Sequence, residues 1–321
     1  MRRAFTGLLV VASLGALALT AAPDDVRPVA DYHQHLYSPV IAPASQIAPI
    51  TARDLVALLD AAGIGRAVVL SQAYAFGNPN RATPVRNERE RVIEENDWTS
   101  GQVAQFPDRL VGFCGVSPLR DYALEEIARC ASDPHLRAGL KLHFGNSDVD
   151  VENPQHVDKL RAVFRAANDR RMAIVVHIRP TISRERPYGA AQARAFIDNV
   201  LPSAPDIVVQ IAHLGGAGGY DDPTVDEALG VYADAIAAKD PRVARVYFEV
   251  SGVAGVGNWR VKADRIAARI RQLGVRRILY GSDSAVGPGR KPAEAWASFR
   301  ELPLTDAEFR EIAANVAPYL R

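Results

Sequence analysis

The sequence predicts an α/β protein folded as a closed (β/α)8 barrel, and three observations carry that prediction. Short apolar runs alternate with segments of helical period along the chain. Most runs are apolar throughout, which is typical of parallel strands buried on both faces. Several runs end in polar residues, and no glycine fingerprint of an open dinucleotide-binding sheet follows the first run. The predicted strands are Val29–Leu36, Arg66–Ala73, Leu110–Ser117, Ala138–Phe144, Ala173–Ile178, Ile207–Leu214, Val246–Gly252 and Ile278–Asp283.

The segments between the predicted strands have the spacing of amphipathic helices. Asp54–Ala62, Leu124–Ala131 and Val157–Asn168 each place apolar residues on one face. The insert Tyr74–Phe106 is long for a strand-to-helix connection, so we expect it to hold a loop over the active-site face and a further helix. Because the sequence has no internal repeat or low-complexity linker, we expect residues 23–321 to form a single domain.

Charge and composition limit the partners of this chain. Its 321 residues carry a formal net charge of +1, and the basic residues are scattered along the sequence. The sequence has no basic stripe of the kind that binds nucleic acid, and it has no polybasic segment of the kind that binds an anionic membrane surface. The expected partner is therefore a small molecule, and the sequence is also compatible with a homodimer.

Residues 1–22 have the pattern of a secretory signal peptide. Arg2 and Arg3 precede the apolar run Ala4–Ala18, which small residues and then a polar segment follow. The run is shorter than the ~20 residues of a membrane-spanning helix, so a cleaved signal is favoured over a retained anchor. We therefore expect the mature protein to be exported, periplasmic or secreted, with no membrane segment.

Two cysteines are present, Cys114 in a predicted strand and Cys130 near the end of the predicted helix that follows it. A disulfide is open to an exported protein, and such a strand and helix pack together. Two buried free thiols are nevertheless the simpler interpretation, because two cysteines are too few to build a disulfide scaffold.

Polar and ionisable residues gather at the carboxyl ends of the predicted strands. In a barrel these ends meet at one face, which is the face that carries catalysis in this fold. Burying so many ionisable groups together would cost many kcal/mol unless they bind a cation or one another. A divalent metal would resolve that conflict. The residues are His33, His35, Lys141, His143, His177, Arg179, His213, Glu249, Ser251 and Asp283.

The spacing of the first two histidines supports a metal site. His33 and His35 are two residues apart at the end of a predicted strand, so both imidazoles point to the same side, into the barrel. With His177, His213 and Asp283 they predict a nitrogen and oxygen site suited to Zn²⁺, with Mn²⁺, Fe²⁺, Co²⁺ and Ni²⁺ as alternatives. A single His-x-His pair is a weak signal, but this combination at strand ends is a strong one.

These motifs resemble the amidohydrolase superfamily, most closely its amidohydrolase-related branch, which includes enzymes like aminocarboxymuconate-semialdehyde decarboxylase. The closing segment Ile312–Leu320 also resembles the terminal helix of that branch. The resemblance spans nearly all of the predicted mature chain and is specific for fold and metal, but not for substrate. The matching segments are DYHQHL (Asp31–Leu36), GLKLHFG (Gly139–Gly145), VVHIRP (Val175–Pro180), IAHLGG (Ile211–Gly216) and LYGSDS (Leu279–Ser284).

The resemblance assigns roles to five of the polar residues. It implies that His33, His35, His177 and Asp283 bind the metal and that Asp283 also transfers a proton. It implies that His213 either binds the metal as well or polarises the substrate beside it. The chemistry has its own logic, because a metal makes water more acidic and a neighbouring carboxylate can take the proton that is released.

Three further residues are candidate substrate contacts with open alternatives. In binuclear members of the superfamily, a lysine at the position of Lys141 is carboxylated and bridges two metals, so a second metal depends on that modification. Otherwise Lys141 would pair with Glu249 or with a substrate anion. Arg179 could hold a substrate carboxylate through two parallel hydrogen bonds, and His143 could contact substrate at the barrel opening. A purely structural role is the alternative for Arg179 and His143.

The sequence leads to three hypotheses about function. The first is metal-dependent hydrolysis of a C–N or C–O bond in an amide, lactone or ester. The second is metal-dependent, non-oxidative decarboxylation of a small aromatic or enoic acid, which would use the same residues. The third, disfavoured by the complete set of ligands, is a binding protein without catalytic activity.

Overall fold

The computed structural model describes residues 26–220, 223–283 and 291–321, and eight parallel strands form its centre. The predicted signal peptide, residues 1–22, lies outside the described residues. Each strand pairs with the next one along the chain. The strands are β1 Ala30–Gln34, β2 Arg66–Leu70, β3 Leu110–Gly115, β4 Gly139–His143, β5 Ala173–His177, β6 Val209–Ile211, β7 Val246–Glu249 and β8 Ile278–Leu279.

Backbone hydrogen bonds between the first and last strand regions close the sheet into a barrel. The amide of Tyr32 donates to the carbonyl of Tyr280 over 2.9 Å, and the amide of Asp283 donates to the carbonyl of His33 over 2.8 Å. With the helices outside, this is the predicted (β/α)8 barrel, and the fold prediction is confirmed. All eight strands therefore direct their carboxyl ends to one mouth.

The strands are shorter than predicted at the mouth, and this is a correction to the sequence analysis. His213 and Asp283 were expected inside strands, but both follow the ladder and have φ of 56° and 52°. That left-handed conformation is incompatible with a strand, so the ladder must end before each of them. His35 likewise lies just beyond β1. The chain thus turns at the points where it presents its polar side chains.

Ten helices surround the barrel in the described part of the chain, and local sequence explains several of their ends. The Thr51 side chain and Asp54 form a reciprocal capping box at the start of α1, and Gly63 ends that helix at φ 67°. The helices are α1 Ala52–Ala62, α2 Glu88–Val103, α3 Ala123–Ser132, α4 Phe144–Ser147, α5 Pro154–Asp169, α6 Ala190–Asn199, α7 Pro223–Ala237, α8 Ala263–Leu273, α9 Pro292–Phe299 and α10 Asp306–Ala314.

The long insert between β2 and β3 contains the helix expected there, α2, after a loop. Asn96 of α2 binds the end of β3 at both backbone groups of Gly115. Its Oδ1 accepts from the Gly115 amide over 2.9 Å, and its Nδ2 donates to the Gly115 carbonyl over 3.0 Å. The insert is therefore tied to the mouth of the barrel.

The chain's last residues fill the opposite end of the barrel. The Ala317 amide donates to the Tyr32 hydroxyl over 2.9 Å, and the Tyr319 hydroxyl donates to Gln210 Oε1 over 2.5 Å. Asn315 Nδ2 donates to the carbonyls of Val275 and Ile278, which fixes the start of β8. The barrel interior is thus packed at this end, and the polar groups are concentrated at the mouth.

Cys114 and Cys130 form a disulfide, with their Cα atoms 6.1 Å apart. The interpretation of two free thiols was therefore wrong. Cys114 lies in β3 and Cys130 in α3, and the packing of α3 on its own strand brings the two side chains within bonding reach. The bridge joins the two halves of one strand–helix unit.

No helix within the described ranges is both long enough and apolar enough to cross a membrane.

Candidate metal centre

Three predicted ligands converge at the mouth of the barrel. Nε2 of His33 lies 3.2 Å from Nε2 of His35, and Oδ1 of Asp283 lies 3.6 Å from the first and 3.7 Å from the second. Both histidines are buried, while the Asp283 side chain is 23% exposed. Such separations between donor atoms match ligands about 2.0–2.2 Å from a shared ion.

The hydrogen bonds at Nδ1 of His33 and His35 explain why their two Nε2 atoms suit a cation. His33 Nδ1 lies 2.9 Å from Glu249 Oε1, and His35 Nδ1 lies 2.7 Å from the Leu70 carbonyl oxygen. A carbonyl or carboxylate oxygen accepts, so each Nδ1 carries the proton and each neutral ring presents a lone pair at Nε2. Burial lowers the pKa of His33 well below its usual value and that of His35 to about 4, so both are neutral at pH 7. Two facing lone pairs repel each other unless a cation lies between them, and the donor set therefore fits a divalent metal.

His213 has the same orientation as its two neighbours. Its Nδ1 lies 2.9 Å from the Ser251 carbonyl oxygen and donates to it, so Nε2 lies on the opposite side of the ring, as in His33 and His35. The ring centroid is 4.8 Å from that of His33. The positive φ of His213 turns the ring inward just after β6.

His177 stands at the edge of the cluster. Its buried ring lies 5.0 Å from that of His213 and stacks on His143 at 3.8 Å between centroids. No group of three donor atoms lying within 4.8 Å of one another includes His177 among the described residues. The structure places it beside the other predicted ligands, and its role as a ligand stays a prediction.

His143 and Arg179 lie at the rim of the mouth. His143 Nδ1 accepts from the Asn146 amide over 3.1 Å, so the proton of the neutral ring is on Nε2. This is the opposite tautomer from His33, which makes His143 a hydrogen-bond donor. Arg179 is buried, and its guanidinium carbon lies 4.9 Å from the centroid of the Tyr188 ring.

Lys141 faces the metal cluster. The alternative that it pairs with Glu249 holds only in part, because Glu249 attracts the Lys141 charge but forms no salt bridge with it. Lys141 Nζ lies 3.2 Å from His33 Nε2, and no carboxylate oxygen of the described residues lies within 4.0 Å of it. Burial is the main cause that lowers the pKa of Lys141 to about 8. The lysine is still mostly an ammonium at pH 7.

Asp283 is held as a carboxylate by its surroundings. Burial opposes its ionisation, but His33, His213, His35 and Lys141 together more than offset burial, and the pKa of Asp283 is lowered below its usual value. Because the buried imidazoles of His33 and His35 are neutral at pH 7, Lys141 is the neighbour whose positive charge persists there. The carboxylate can then accept a proton only when water or substrate becomes more acidic.

Glu249 and Ser251 were expected at the mouth as the polar end of the seventh strand, but their hydrogen bonds to the histidines were not predicted, and Tyr74 was not expected in the site. Glu249 accepts from His33 and from the backbone amide of His213, and Ser251 contacts His213. Glu249 is the last residue of β7, and a carboxylate at the end of an apolar run is the signal that placed it at the mouth. The Tyr74 ring packs 5.2 Å from His143, a contact brought by the insert loop that no local pattern indicates.

A (β/α)8 barrel with neutral imidazoles and a carboxylate converging at its mouth defines a class of metal-dependent barrel enzymes. The family model described as amidohydrolase matches residues 30–315, and the chain belongs to that family. Enzymes of this family use a divalent metal.

Several solved structures share the fold at low sequence identity. The 5-carboxyvanillate decarboxylase of Sphingomonas paucimobilis is 17% identical, with a TM-score of 0.60 over 89% of this chain and 96% of its own. A protein named as a 2-pyrone-4,6-dicarboxylic acid hydrolase of Acinetobacter baumannii, with citric acid bound, is 17% identical, with a TM-score of 0.56 over 88% and 95%. The 5-carboxyvanillate decarboxylase of Novosphingobium aromaticivorans, complexed with manganese, is 14% identical, with a TM-score of 0.58 over 93% and 97%. No curated protein matches this chain significantly.

Proposed function

We propose that this protein is a metal-dependent hydrolase that cleaves a C–N or C–O bond in an amide, lactone or ester of a small molecule. The observation that carries the proposal is the convergence of His33 Nε2, His35 Nε2 and Asp283 Oδ1, with separations between 3.2 and 3.7 Å. A carboxylate inside a group of neutral nitrogen donors is suited to take a proton from water beside a cation.

The residues that would hold the metal are His33, His35, His177, His213 and Asp283. Three of the four histidines donate from Nδ1 to an oxygen, which leaves Nε2 for a metal and supports this assignment, and Zn²⁺ suits such a nitrogen-rich set best. Mn²⁺, Fe²⁺, Co²⁺ and Ni²⁺ are the alternatives. A divalent ion there supplies Lewis acidity, which polarises a substrate carbonyl and lowers the pKa of water.

The residues of the chain carry the proton and the substrate. Asp283 accepts a proton from the attacking water and returns it to the leaving nitrogen or oxygen. His143 donates from Nε2 to a substrate oxygen at the rim, since its Nδ1 is occupied by the Asn146 amide. Lys141 and Arg179 supply positive charge to an anionic substrate group. A second metal requires carboxylation of Lys141.

Non-oxidative decarboxylation is the second candidate, because it would use the same residues. The observation in its favour is that two solved structures with this fold are named as decarboxylases. Asp283 would then take a proton from water or from a substrate hydroxyl and deliver it to the carbon from which CO2 leaves. The two reactions differ in their products, so measurement of the products separates them.

The test begins with elemental mass spectrometry of the purified protein, together with Asp283→Asn and His33→Ala. We expect about one tightly bound transition metal per wild-type chain, and its loss in His33→Ala. A panel of lactones, esters, amides and aromatic acids is then scored for hydrolysis and for CO2 release. Asp283→Asn should lower turnover by at least ~10²-fold. Wild-type protein without bound metal would overturn the proposal, and CO2 release without hydrolysis would favour the second candidate.

A further inference from the structure

The Glu249 side chain is completely buried behind the metal cluster and accepts four hydrogen bonds. Oε1 accepts from His33 Nδ1 over 2.9 Å, from the His213 amide over 2.7 Å and from the Ser251 hydroxyl over 2.9 Å. Oε2 accepts from the Ser251 amide over 2.7 Å. These donors come from the ends of β1, β6 and β7, so one carboxylate joins three strand ends.

The direction of these bonds fixes the protonation of two imidazoles. Glu249 requires the proton of His33 on Nδ1, and the Ser251 carbonyl requires that of His213 on Nδ1. The Ser251 hydroxyl lies 2.8 Å from His213 Nδ1 and donates to Glu249, which joins the two rings through one network. Both rings therefore direct Nδ1 to this network and turn Nε2 away from it.

Glu249 is not itself positioned to bind a second metal. Possible metal-binding atoms of His33, His213 and Glu249 lie within 4.8 Å of one another, but the two carboxylate oxygens of Glu249 already accept four hydrogen bonds.

The backbone at Gly281 leaves space for the Glu249 carboxylate. A Cβ placed on Gly281 would lie 2.4 Å from Glu249 Oε2, so a glycine is required where the segment after β8 passes.

We infer that Glu249 is the positioning residue of the metal centre. It holds His33 in the Nδ1–H tautomer and holds the left-handed turn of His213, so that both Nε2 atoms face the metal side together. Ser251 extends this action to the His213 ring. The inference rests on the metal centre proposed above, and it assigns to Glu249 and Ser251 a role in metal affinity without direct contact with the ion.

The substitution Glu249→Gln preserves size but replaces one acceptor oxygen by an amide that donates. Whichever way the amide turns, at least one of the four donors faces another donor. A metal-binding histidine that loses the hydrogen-bond acceptor at its other ring nitrogen typically binds the metal about 10–100-fold more weakly. Ser251→Ala is the milder variant, because it removes the hydroxyl and leaves both backbone contacts of Ser251 in place.

The experiment measures Zn²⁺ affinity by competition with a chelator in wild type, Glu249→Gln, Ser251→Ala and Glu95→Gln. Glu95 is a second buried glutamate, hydrogen-bonded to Ser38, and provides the matched control. We expect affinity to fall about 10–100-fold in Glu249→Gln, by a smaller factor in Ser251→Ala, and not at all in Glu95→Gln. Thermal melting of the metal-free proteins identifies any variant that does not fold.

A second readout is independent of the metal. In ¹⁵N spectra of metal-free wild type, the His33 side chain should show the Nδ1–H tautomer, and in Glu249→Gln it should show a mixture of both. A folded Glu249→Gln that binds Zn²⁺ within twofold of wild type and keeps the wild-type tautomer would overturn the inference. If Glu249→Gln does not fold, a Ser251→Ala variant with the same Zn²⁺ affinity as wild type would overturn it. Wild type that binds no Zn²⁺ but has the expected tautomer would contradict the proposed function and leave the positioning of His33 by Glu249 supported.

Discussion

The ammonium nitrogen of Lys141 lies 3.2 Å from Nε2 of His33, the same nitrogen that faces His35 and Asp283. A positive charge is thus placed beside the lone pairs that would bind a cation. Two unit charges ~5 Å apart repel by roughly 3 kcal/mol at an effective dielectric constant near 20, and a divalent ion doubles that figure. Lys141 therefore opposes metal binding unless it is neutral or carboxylated.

We expect Lys141→Met to bind Zn²⁺ at least ~10-fold more tightly than wild type at pH 7, with unchanged stoichiometry. Burial lowers the pKa of Lys141 to about 8, so the difference should narrow as pH rises above that value and wild type loses the charge. Chelator competition at pH 7 and 9 measures both effects. Lys159→Met, which removes a half-exposed lysine paired with Asp121, should change nothing.

A loss of metal in Lys141→Met would instead identify the form in which a carboxylated Lys141 bridges two metals. In that form the intact mass of the wild-type chain is higher by one CO2, and Lys141→Met reduces the stoichiometry from two metals to one.

The disulfide between Cys114 and Cys130 should stabilise the barrel. It closes a loop with a sequence separation of 16 residues, for which the chain-entropy model gives about 3 kcal/mol. We expect reductant to lower the free energy of unfolding of wild type by about that amount and to leave Cys114→Ala/Cys130→Ala unaffected. Chemical denaturation with and without dithiothreitol measures this, and an equal effect of reductant on both proteins would rule it out.

The same bridge supports our proposal that the protein is exported, since disulfides persist in oxidising compartments. Full-length protein expressed with its own N-terminus in a bacterial host should be recovered from the periplasm with both cysteines resistant to alkylation. Recovery from the cytoplasm with two reactive thiols would contradict export.

The hydroxyl of Tyr319 is expected to stabilise the closed end of the barrel. It donates to Gln210 Oε1 over 2.5 Å, and Gln210 is completely buried. Tyr319→Phe leaves that amide oxygen without this donor, which typically costs about 1–3 kcal/mol in the free energy of unfolding. Urea denaturation measures the loss, with Tyr247→Phe as the control and metal content unchanged in both. A loss in Tyr319→Phe no larger than in the control would show that the hydrogen bond contributes little.

The fold was predictable because its signals are local. Most of the buried parallel strands are continuous apolar runs, and most of the longer helices have an apolar face, so the barrel could be derived without any knowledge of contacts. His33 and His35 were predictable for the same reason, because alternate residues of a strand share a face.

The rest of the site depends on contacts between distant parts of the chain. His and Asp can adopt the left-handed conformation of the turns at His213 and Asp283, but they do so in a small minority of cases, so the local sequence did not predict these turns. Glu249 acts on His33 across 216 residues of sequence, and the orientation of the donors determines its role. The pairing of Cys114 with Cys130 likewise depended on the packing of α3 against β3.

Glu95 provides a pH test that is separate from the metal centre. Its buried carboxyl accepts from the Ser38 hydroxyl over 2.6 Å, and burial raises its pKa from 4.5 to about 7. Between pH 4.5 and about pH 7, Glu95 therefore holds a proton in the folded protein but not in the unfolded chain. The stability contributed by that proton is fully present below pH 4.5 and is lost as pH rises through 7.

Glu95→Gln cannot ionise, but its amide oxygen can still accept from Ser38. Relative to wild type, its free energy of unfolding should therefore increase between pH 5 and pH 8, by up to about 3 kcal/mol. Urea denaturation of both proteins at the two pH values measures this difference, and the buried histidines titrate equally in both and cancel. Glu90→Gln, exposed on the same helix, should show no such change with pH. If the free energy of unfolding of Glu95→Gln relative to wild type stays constant or decreases from pH 5 to pH 8, then Glu95 remains ionised in the folded protein throughout that range.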